Sequence, residues 1–180
     1  MRYLKPEILA RSRSLDDDVS EAAADEWEQA LATYNAELDS IRPDLPSAVR
    51  ALLASYSLHD ARILSISEAR RKPRLSLLIQ LEGKPTRPGD LLELQYLLAR
   101  TSKQPGLVLV MHGKPDTDLR GKGRIQYDEF GKVADDPVEV FSHSLLLTGG
   151  VELHIRFTDM KVRALQRVIL PSVEPIAAMA

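Results

Sequence analysis

The sequence predicts an α+β fold, with N-terminal helices packed on a mainly antiparallel β-meander of about seven strands. Before residue 57, apolar residues recur every three or four positions, as they do on one face of an amphipathic helix. After residue 58 they recur at every second position, as on one face of a half-buried strand. The connections between the alternating segments are too short for crossover helices, which favours antiparallel neighbours.

The first predicted helix follows the polar cluster from Ser14 to Asp18 and ends before Pro43. Carboxylates at its start stabilise the positive end of the helix dipole, and Pro43 disfavours a helical conformation at the residue before it. Its apolar residues form one continuous stripe, made of Val19, Ala23, Trp27, Leu31, Tyr34, Leu38 and Ile41. A second, shorter helix is predicted from about Pro46, with its apolar residues directed inward: Val49, Leu52, Leu53 and Tyr56.

Strands are predicted in segments whose apolar residues alternate: RLSLLIQLEG, LLELQYLLA, RIQYDEF, VEVFSHSLLL and VELHIRF. The segment GLVLVMH is apolar on both faces, which predicts a central strand. Together the elements predict a single domain, helical over residues 1–57 and sheet over residues 58–170. The apolar tail at residues 171–180 has no periodicity and is predicted to be loosely held.

The chain of 180 residues contains no cysteine, which excludes disulfides, thiolate nucleophiles and cysteine metal sites and favours a cytoplasmic location. No apolar run has the length of a signal-peptide core or a membrane span. The net charge of -2 is unevenly distributed, with 11 acidic against 6 basic residues in 1–50 and 6 against 13 in 61–125. This favours an acidic helix lying over basic loops, with an anionic partner for the basic middle as the alternative.

The stretch LTGGVELHIRFTD, residues 147–159, predicts the last hairpin of the sheet. If Gly149 and Gly150 form a two-residue turn, His143 lies opposite Arg156. In that register four polar side chains share the outer face and form the candidate binding surface: His143, Glu152, His154 and Arg156. A bare solvated face is the alternative interpretation.

The same residues raise the question of a metal site, since imidazole and carboxylate groups are common zinc ligands. The chain has no paired-histidine motif such as HExxH or HxH, and strand neighbours alone supply too few ligands. No metal and no cofactor is therefore predicted.

Two short stretches carry acid–base residues near the start of strands. His59 and Asp60, in LHDAR, lie where the second helix gives way to the first strand, and are predicted to cap exposed backbone groups there, with catalysis as the alternative. In YDEF, residues 127–130, the alternation slips between Glu129 and Phe130. That slip predicts a bulge or the end of a strand.

The run GKPDTDLRGKGR contains the strongest candidates for anion binding: Lys114, Arg120, Lys122 and Arg124. The run matches neither the P-loop pattern nor GxGxxG. The chain also lacks GxSxG and any Cys–His pair, so the sequence gives no support for nucleophilic catalysis.

The order of the motifs MRYL, EWEQALATYNAEL, LHDARILSI, YDEF and HSLLLTGGVELHIRFTD resembles that of an uncharacterised bacterial family of domains of unknown function. The resemblance covers nearly the whole chain and implies a bacterial cytoplasmic protein with one helical-plus-β domain. It implies no activity, cofactor or catalytic residue. Immunity proteins of toxin systems are similar in build, at the level of the fold alone.

Two functions of different classes follow. The first is a small non-catalytic protein that docks a protein partner, favoured because no catalytic constellation is complete. The second is a small metal-assisted hydrolase using His143, Glu152 and His154, with His59 or Asp60 as further candidates. An immunity-type protein that binds a toxin is a further alternative. The sequence favours a protein over nucleic acid as partner, predicts no membrane association and does not fix the oligomeric state.

Overall fold

A computed structural model describes residues 1–69, 72–82, 90–99, 106–111, 123–133, 139–148 and 150–165. Three helices precede a seven-stranded antiparallel sheet, which confirms the predicted α+β class. The helices are α1 (Pro6–Arg11), α2 (Asp17–Ile41) and α3 (Ser47–Ser55). The strands are β1 (Arg62–Glu68), β2 (Arg74–Gln80), β3 (Leu91–Leu98), β4 (Leu107–Met111), β5 (Ile125–Val133), β6 (Val140–Leu147) and β7 (Val151–Leu165).

Helix α2 begins and ends close to its predicted bounds. The Asp16 side chain accepts a hydrogen bond from the Val19 N–H at 3.3 Å, so a carboxylate caps the first turn as the sequence predicts. Tyr34 and Leu38 are buried on the face directed at the sheet, and the Tyr34 hydroxyl accepts the N–H of Phe130 at 2.9 Å. This bond fixes α2 against the middle of β5.

The strands follow the order β1-β2-β3-β7-β6-β5, and β4 also pairs with β7. Two meanders, β1-β2-β3 and β5-β6-β7, are therefore joined side by side through β3 and β7. At 15 residues, β7 is long enough to pair with β6 along its first half and with β3 along its second half.

The sheet curls into a half-barrel whose two edge strands meet at one end. The Ile63 N–H donates to the Gly123 carbonyl at 3.1 Å, and the Ile125 N–H donates to the Ala61 carbonyl at 2.8 Å. Buried leucine, isoleucine and aromatic residues of β2, β3, β6 and β7 fill the concave face, and α3 inserts Val49 and Leu52 above them. The main hydrophobic core therefore lies against the concave face of the sheet.

The prediction of a central strand for GLVLVMH is wrong. Strand β4 lies off the main strand path, and its pairing within the described residues is with β7. Val108 is 38% exposed and Leu109 is 49% exposed, so neither face is fully covered. Apolar composition alone could not distinguish this position from a buried one.

None of the described helices is long and apolar enough to cross a membrane. Helix α1 was not predicted, because six residues are too few to show a helical period. The predicted tail at residues 171–180 lies outside the residues that the structure describes.

Candidate functional site

The register of the last hairpin differs by one residue from the predicted one. Leu147 pairs with Val151, so three residues rather than two separate the strands, and Gly150 adopts a φ of 74°. Thr148 belongs to the turn because its N–H donates to the Arg124 carbonyl at 2.8 Å and its hydroxyl accepts the Arg124 N–H at 3.0 Å. Thr148 therefore bonds to Arg124, the residue before β5, and lies outside the hairpin ladder.

The one-residue shift moves His143 to the opposite face of the sheet. His143 pairs with Ile155 rather than Arg156 and is fully buried, whereas Arg156 lies opposite Ser142 on the outer face. A register change of one residue reverses the face of every side chain on a strand, which accounts for the error. Glu152, His154 and Arg156 share the outer face as predicted, but His143 is not with them.

The outer face of the hairpin is covered by residues 1–4 of the chain, here called the N-terminal clasp. The Glu129 carboxylate accepts the N–H groups of Arg2 at 2.9 Å, Tyr3 at 3.0 Å and Leu4. The α-ammonium group of Met1 forms an ion pair with Glu152, which is only 3% exposed. Glu129 and Glu152 are therefore buried, which contradicts the alternative interpretation of a bare solvated face for the hairpin.

His154 lies beside the clasp and links two neighbouring strands. Its Nδ1 is 2.9 Å from the Ser144 hydroxyl, and its Nε2 is 2.8 Å from the Glu152 carboxylate. Burial lowers the pKa of His154, and the Met1 ammonium lowers it further, while Glu152 acts in the opposite direction. Both ring nitrogens of His154 therefore have partners within the chain. The clasp, a segment of the same chain, covers this face.

Buried His143 connects the hydrophobic core to a second part of the surface. Its ring stacks on Phe130 at 3.9 Å, its Nδ1 is 2.7 Å from the Tyr96 hydroxyl, and its Nε2 is 3.3 Å from the Asp128 carboxylate. Burial raises the pKa of Tyr96 well above its ordinary value, with Asp128 adding to the rise, so the phenol keeps its proton. A carboxylate only accepts, so Nε2–H donates to Asp128, and in the neutral imidazole Nδ1 then accepts from the Tyr96 hydroxyl.

Asp128 lines a cleft between α2, α3 and the start of β5, here called the α2–β5 cleft. Its volume is about 260 Å³. Apolar and aromatic side chains form most of its wall, among them Leu31, Leu52, Leu53, Tyr56, Leu58 and Phe130. The polar side chains in the wall are Tyr34, Ser57, His59, Gln126, Tyr127 and Asp128.

His59 and Asp60 lie at the rim of this cleft. The His59 Nδ1 is 2.8 Å from the Asp60 carboxylate, so the two side chains contact each other. Among the described residues neither side chain bonds to a backbone group, so the predicted capping is not seen there. Asp60 has a φ of 62°, a left-handed conformation that aspartate tolerates better than most residues, and its N–H donates to the Ile125 carbonyl at 2.7 Å. The left-handed conformation of Asp60 turns the chain just before β1, which pairs with Arg124 immediately before β5.

Three aromatic rings continue the rim. The rings of His59 and Tyr127 are nearly perpendicular, with centroids 5.5 Å apart, and Trp27 packs against Tyr127 with centroids 4.5 Å apart. Leu31, one helical turn from Trp27, is 39% exposed, so apolar surface extends from the cleft to solvent. The predicted core stripe of α2 is therefore partly a surface feature.

The predicted bulge in YDEF is displaced. The register shift in β5 lies between Ile125 and Tyr127, and the strand continues to Val133. Glu129 and Phe130 are both buried, because the clasp covers one face of β5 and the core covers the other. Two buried neighbours break the alternation that a one-sided strand would show.

Most of the predicted anion-binding residues cannot be placed in the fold. Lys114, Arg120 and Lys122 lie outside the described residues. Arg124 forms an exposed ion pair with Glu82 at 3.2 Å. Within the described part of the chain, no group of three or more histidine, aspartate or glutamate side chains is arranged to hold a metal ion.

The comparisons with known proteins do not identify a family for this chain. No protein-family model matches the chain, and the curated proteins yield no significant match. The resemblance to a bacterial family therefore stays a prediction.

Proposed function

We propose that the chain is a non-catalytic binding module for a protein partner and that the α2–β5 cleft is its binding site. The observation that supports this most is Asp128: its carboxylate is 22% exposed in an apolar cleft and is held from behind by fully buried His143. A polar group fixed in an apolar concavity is the usual arrangement of a recognition site.

The size of the cleft favours a protein partner. Pockets for drug-sized ligands have volumes of about 300–1,000 Å³. At about 260 Å³ the α2–β5 cleft is smaller and fits a single long side chain, with exposed Leu31 and half-buried Tyr127 in its wall. Interfaces concentrate their binding energy in such side-chain pockets. Nucleic acid is disfavoured, because a carboxylate in the cleft would repel phosphate.

The alternative of a metal-assisted hydrolase has weaker support. Glu152 and His154 bind the N-terminal clasp and Ser144, and His143 lies on the other face of the sheet. The three side chains therefore do not converge on one substrate position. A bacterial cytoplasmic setting, inferred from the motif order and the absence of cysteine, belongs to this proposal.

The proposal predicts that random displayed peptides selected on the full chain bind at the α2–β5 cleft. Leu31→Arg places a long charged side chain at the rim and is expected to weaken their binding by about tenfold or more, a loss of at least 1.4 kcal/mol. Fluorescence of Trp27 reports the binding, since this is the chain's only tryptophan and it contacts Tyr127 of the cleft wall.

The matched control is Leu109→Arg, which makes the same change at another exposed leucine, on β4. It should leave peptide affinity unchanged. Selected peptides that bind Leu31→Arg as tightly as the wild-type chain would place the binding surface elsewhere and refute the proposal.

A further inference from the structure

We infer that the α2–β5 cleft receives a cationic side chain, arginine or lysine, presented between apolar residues of the partner protein. This inference rests on the proposed function and specifies the chemistry of the partner. It depends on the charge, the hydrogen-bonding capacity and the apolar walls of the cleft.

The charge of the cleft has one sign. The described residues that line it include no lysine or arginine, and Asp128 is the one carboxylate among them. Asp60 adds a second carboxylate at the rim, in contact with His59. Helix α2, which forms one side of the cleft, carries eight acidic residues and no basic one. Glu26, Glu37 and Asp39 form ion pairs with Arg11, Arg2 and Arg42, and the remaining acidic charge of the helix also favours a cation.

Asp128 has an oxygen available for a partner. Its Oδ2 accepts from His143 at 3.3 Å, and within the described residues its Oδ1 has no hydrogen-bond partner. An ammonium or guanidinium group is the complementary donor, and a charge-assisted bond is about twice as strong as a neutral one. Because His143 is buried and stacked on Phe130, the carboxylate is held in position before a partner arrives.

The walls of the cleft suit the rest of such a side chain. Arginine and lysine have apolar stems that pack on hydrophobic surface while the charged end reaches a polar group. Leu31, Leu53 and Tyr56 supply that surface along the cleft. Tyr127, which lines the cleft together with Asp128 and packs against Trp27, adds an aromatic ring, and aromatic rings stabilise a nearby cation further. Leu31, exposed beside the opening, fits an apolar neighbour of the cationic residue.

Three synthetic pentapeptides test this inference: Ac-Gly-Leu-Arg-Leu-Gly-NH2 and its counterparts with glutamine or glutamate at the centre. Trp27 fluorescence measures their binding to the full chain. The arginine peptide is expected to bind about tenfold more tightly than the glutamine peptide, and the glutamate peptide more weakly than either.

Asp128→Asn removes the charge but keeps an oxygen that can accept from His143, so it should abolish the preference for arginine. Glu139→Gln removes one exposed charge that neither lines the cleft nor belongs to α2, and it is the matched control, which should keep the preference. A similar preference for arginine in Asp128→Asn and in the wild-type chain would overturn the inference.

The remaining outcomes separate the inference from the proposed function. Equal binding of the arginine and glutamine peptides, with both weakened by Leu31→Arg, would overturn the cationic partner and leave the cleft as a binding site. If none of the pentapeptides changes Trp27 fluorescence, and peptides selected on the chain bind Leu31→Arg as tightly as the wild-type chain, the proposed function fails together with the inference.

Discussion

Glu129→Gln is expected to lower the free energy of unfolding by about 2–3 kcal/mol. The carboxylate is 5% exposed and accepts the backbone N–H groups of three consecutive residues, Arg2, Tyr3 and Leu4. An amide can offer only one oxygen to these donors, and it turns an N–H group toward the others. Hydrogen bonds to a buried charge are stronger than neutral ones, and unsatisfied buried donors carry a further cost.

Urea unfolding of the full chain measures this difference. Glu139→Gln is the matched control, because Glu139 is exposed and forms an ion pair with Lys132 at 3.2 Å. Exposed ion pairs contribute about 0–1 kcal/mol, so the control should be nearly neutral. Equal losses in the two variants would show that the clasp is not held by Glu129.

His143→Leu is expected to destabilise the chain by about 2–4 kcal/mol. The substitution keeps an apolar side chain against Phe130 but leaves the Tyr96 hydroxyl, which lies in a fully buried residue, without its partner at 2.7 Å. A buried hydroxyl without a hydrogen bond loses its full solvation. Exposed His59→Leu is the control and should change stability little.

A double-mutant cycle with Tyr96→Phe separates this cause from a simple packing defect. If the orphaned hydroxyl is responsible, the double variant His143→Leu, Tyr96→Phe should recover part of the loss seen for His143→Leu alone. Strictly additive losses in thermal or urea unfolding would mean that the two side chains are not coupled.

The sequence predicts the helices and the antiparallel sheet well because their signals are local. The stripe of α2 and its carboxylate cap lie within one segment; the cap is found where expected, and Ala23, Tyr34 and Leu38 of the stripe are buried, whereas Val19 and Leu31 are exposed. The alternation in β2 and β3 likewise reports one buried face. Helix α1 is too short to show a period, and the exposure of β4 depends on neighbours that the segment itself does not encode.

The candidate site was predicted less well because it depends on register and on distant residues. A single additional turn residue, Thr148, bonds to Arg124 just before β5. It shifts the register of the hairpin by one residue and so reverses the face of His143. The burial of Glu129 and Glu152 results from the clasp, more than 120 residues away in the chain. Polar residues on an outer strand face give no local sign that another segment covers them.

Asp128 was visible in the sequence only as part of YDEF. Its importance comes from His143, 15 residues away, and from Tyr96 on another strand. A carboxylate between aromatic residues in an alternating strand is a weak indication of a binding site. No local sequence pattern connects Asp128 with His59. The three-dimensional arrangement is what brings these residues to one cleft.

Histidine-selective nitrogen NMR of the full chain tests the central claim most directly. The chain has only four histidines, and two of them report on the two competing binding surfaces, the α2–β5 cleft and the face beneath the clasp. His143 contacts Asp128 of the α2–β5 cleft, and His154 contacts Glu152 beneath the clasp. Adding the arginine pentapeptide should shift the ring signals of His143 and leave those of His154 in place. A shift of His154 with His143 unchanged would contradict the account, since the partner would then bind at the clasp.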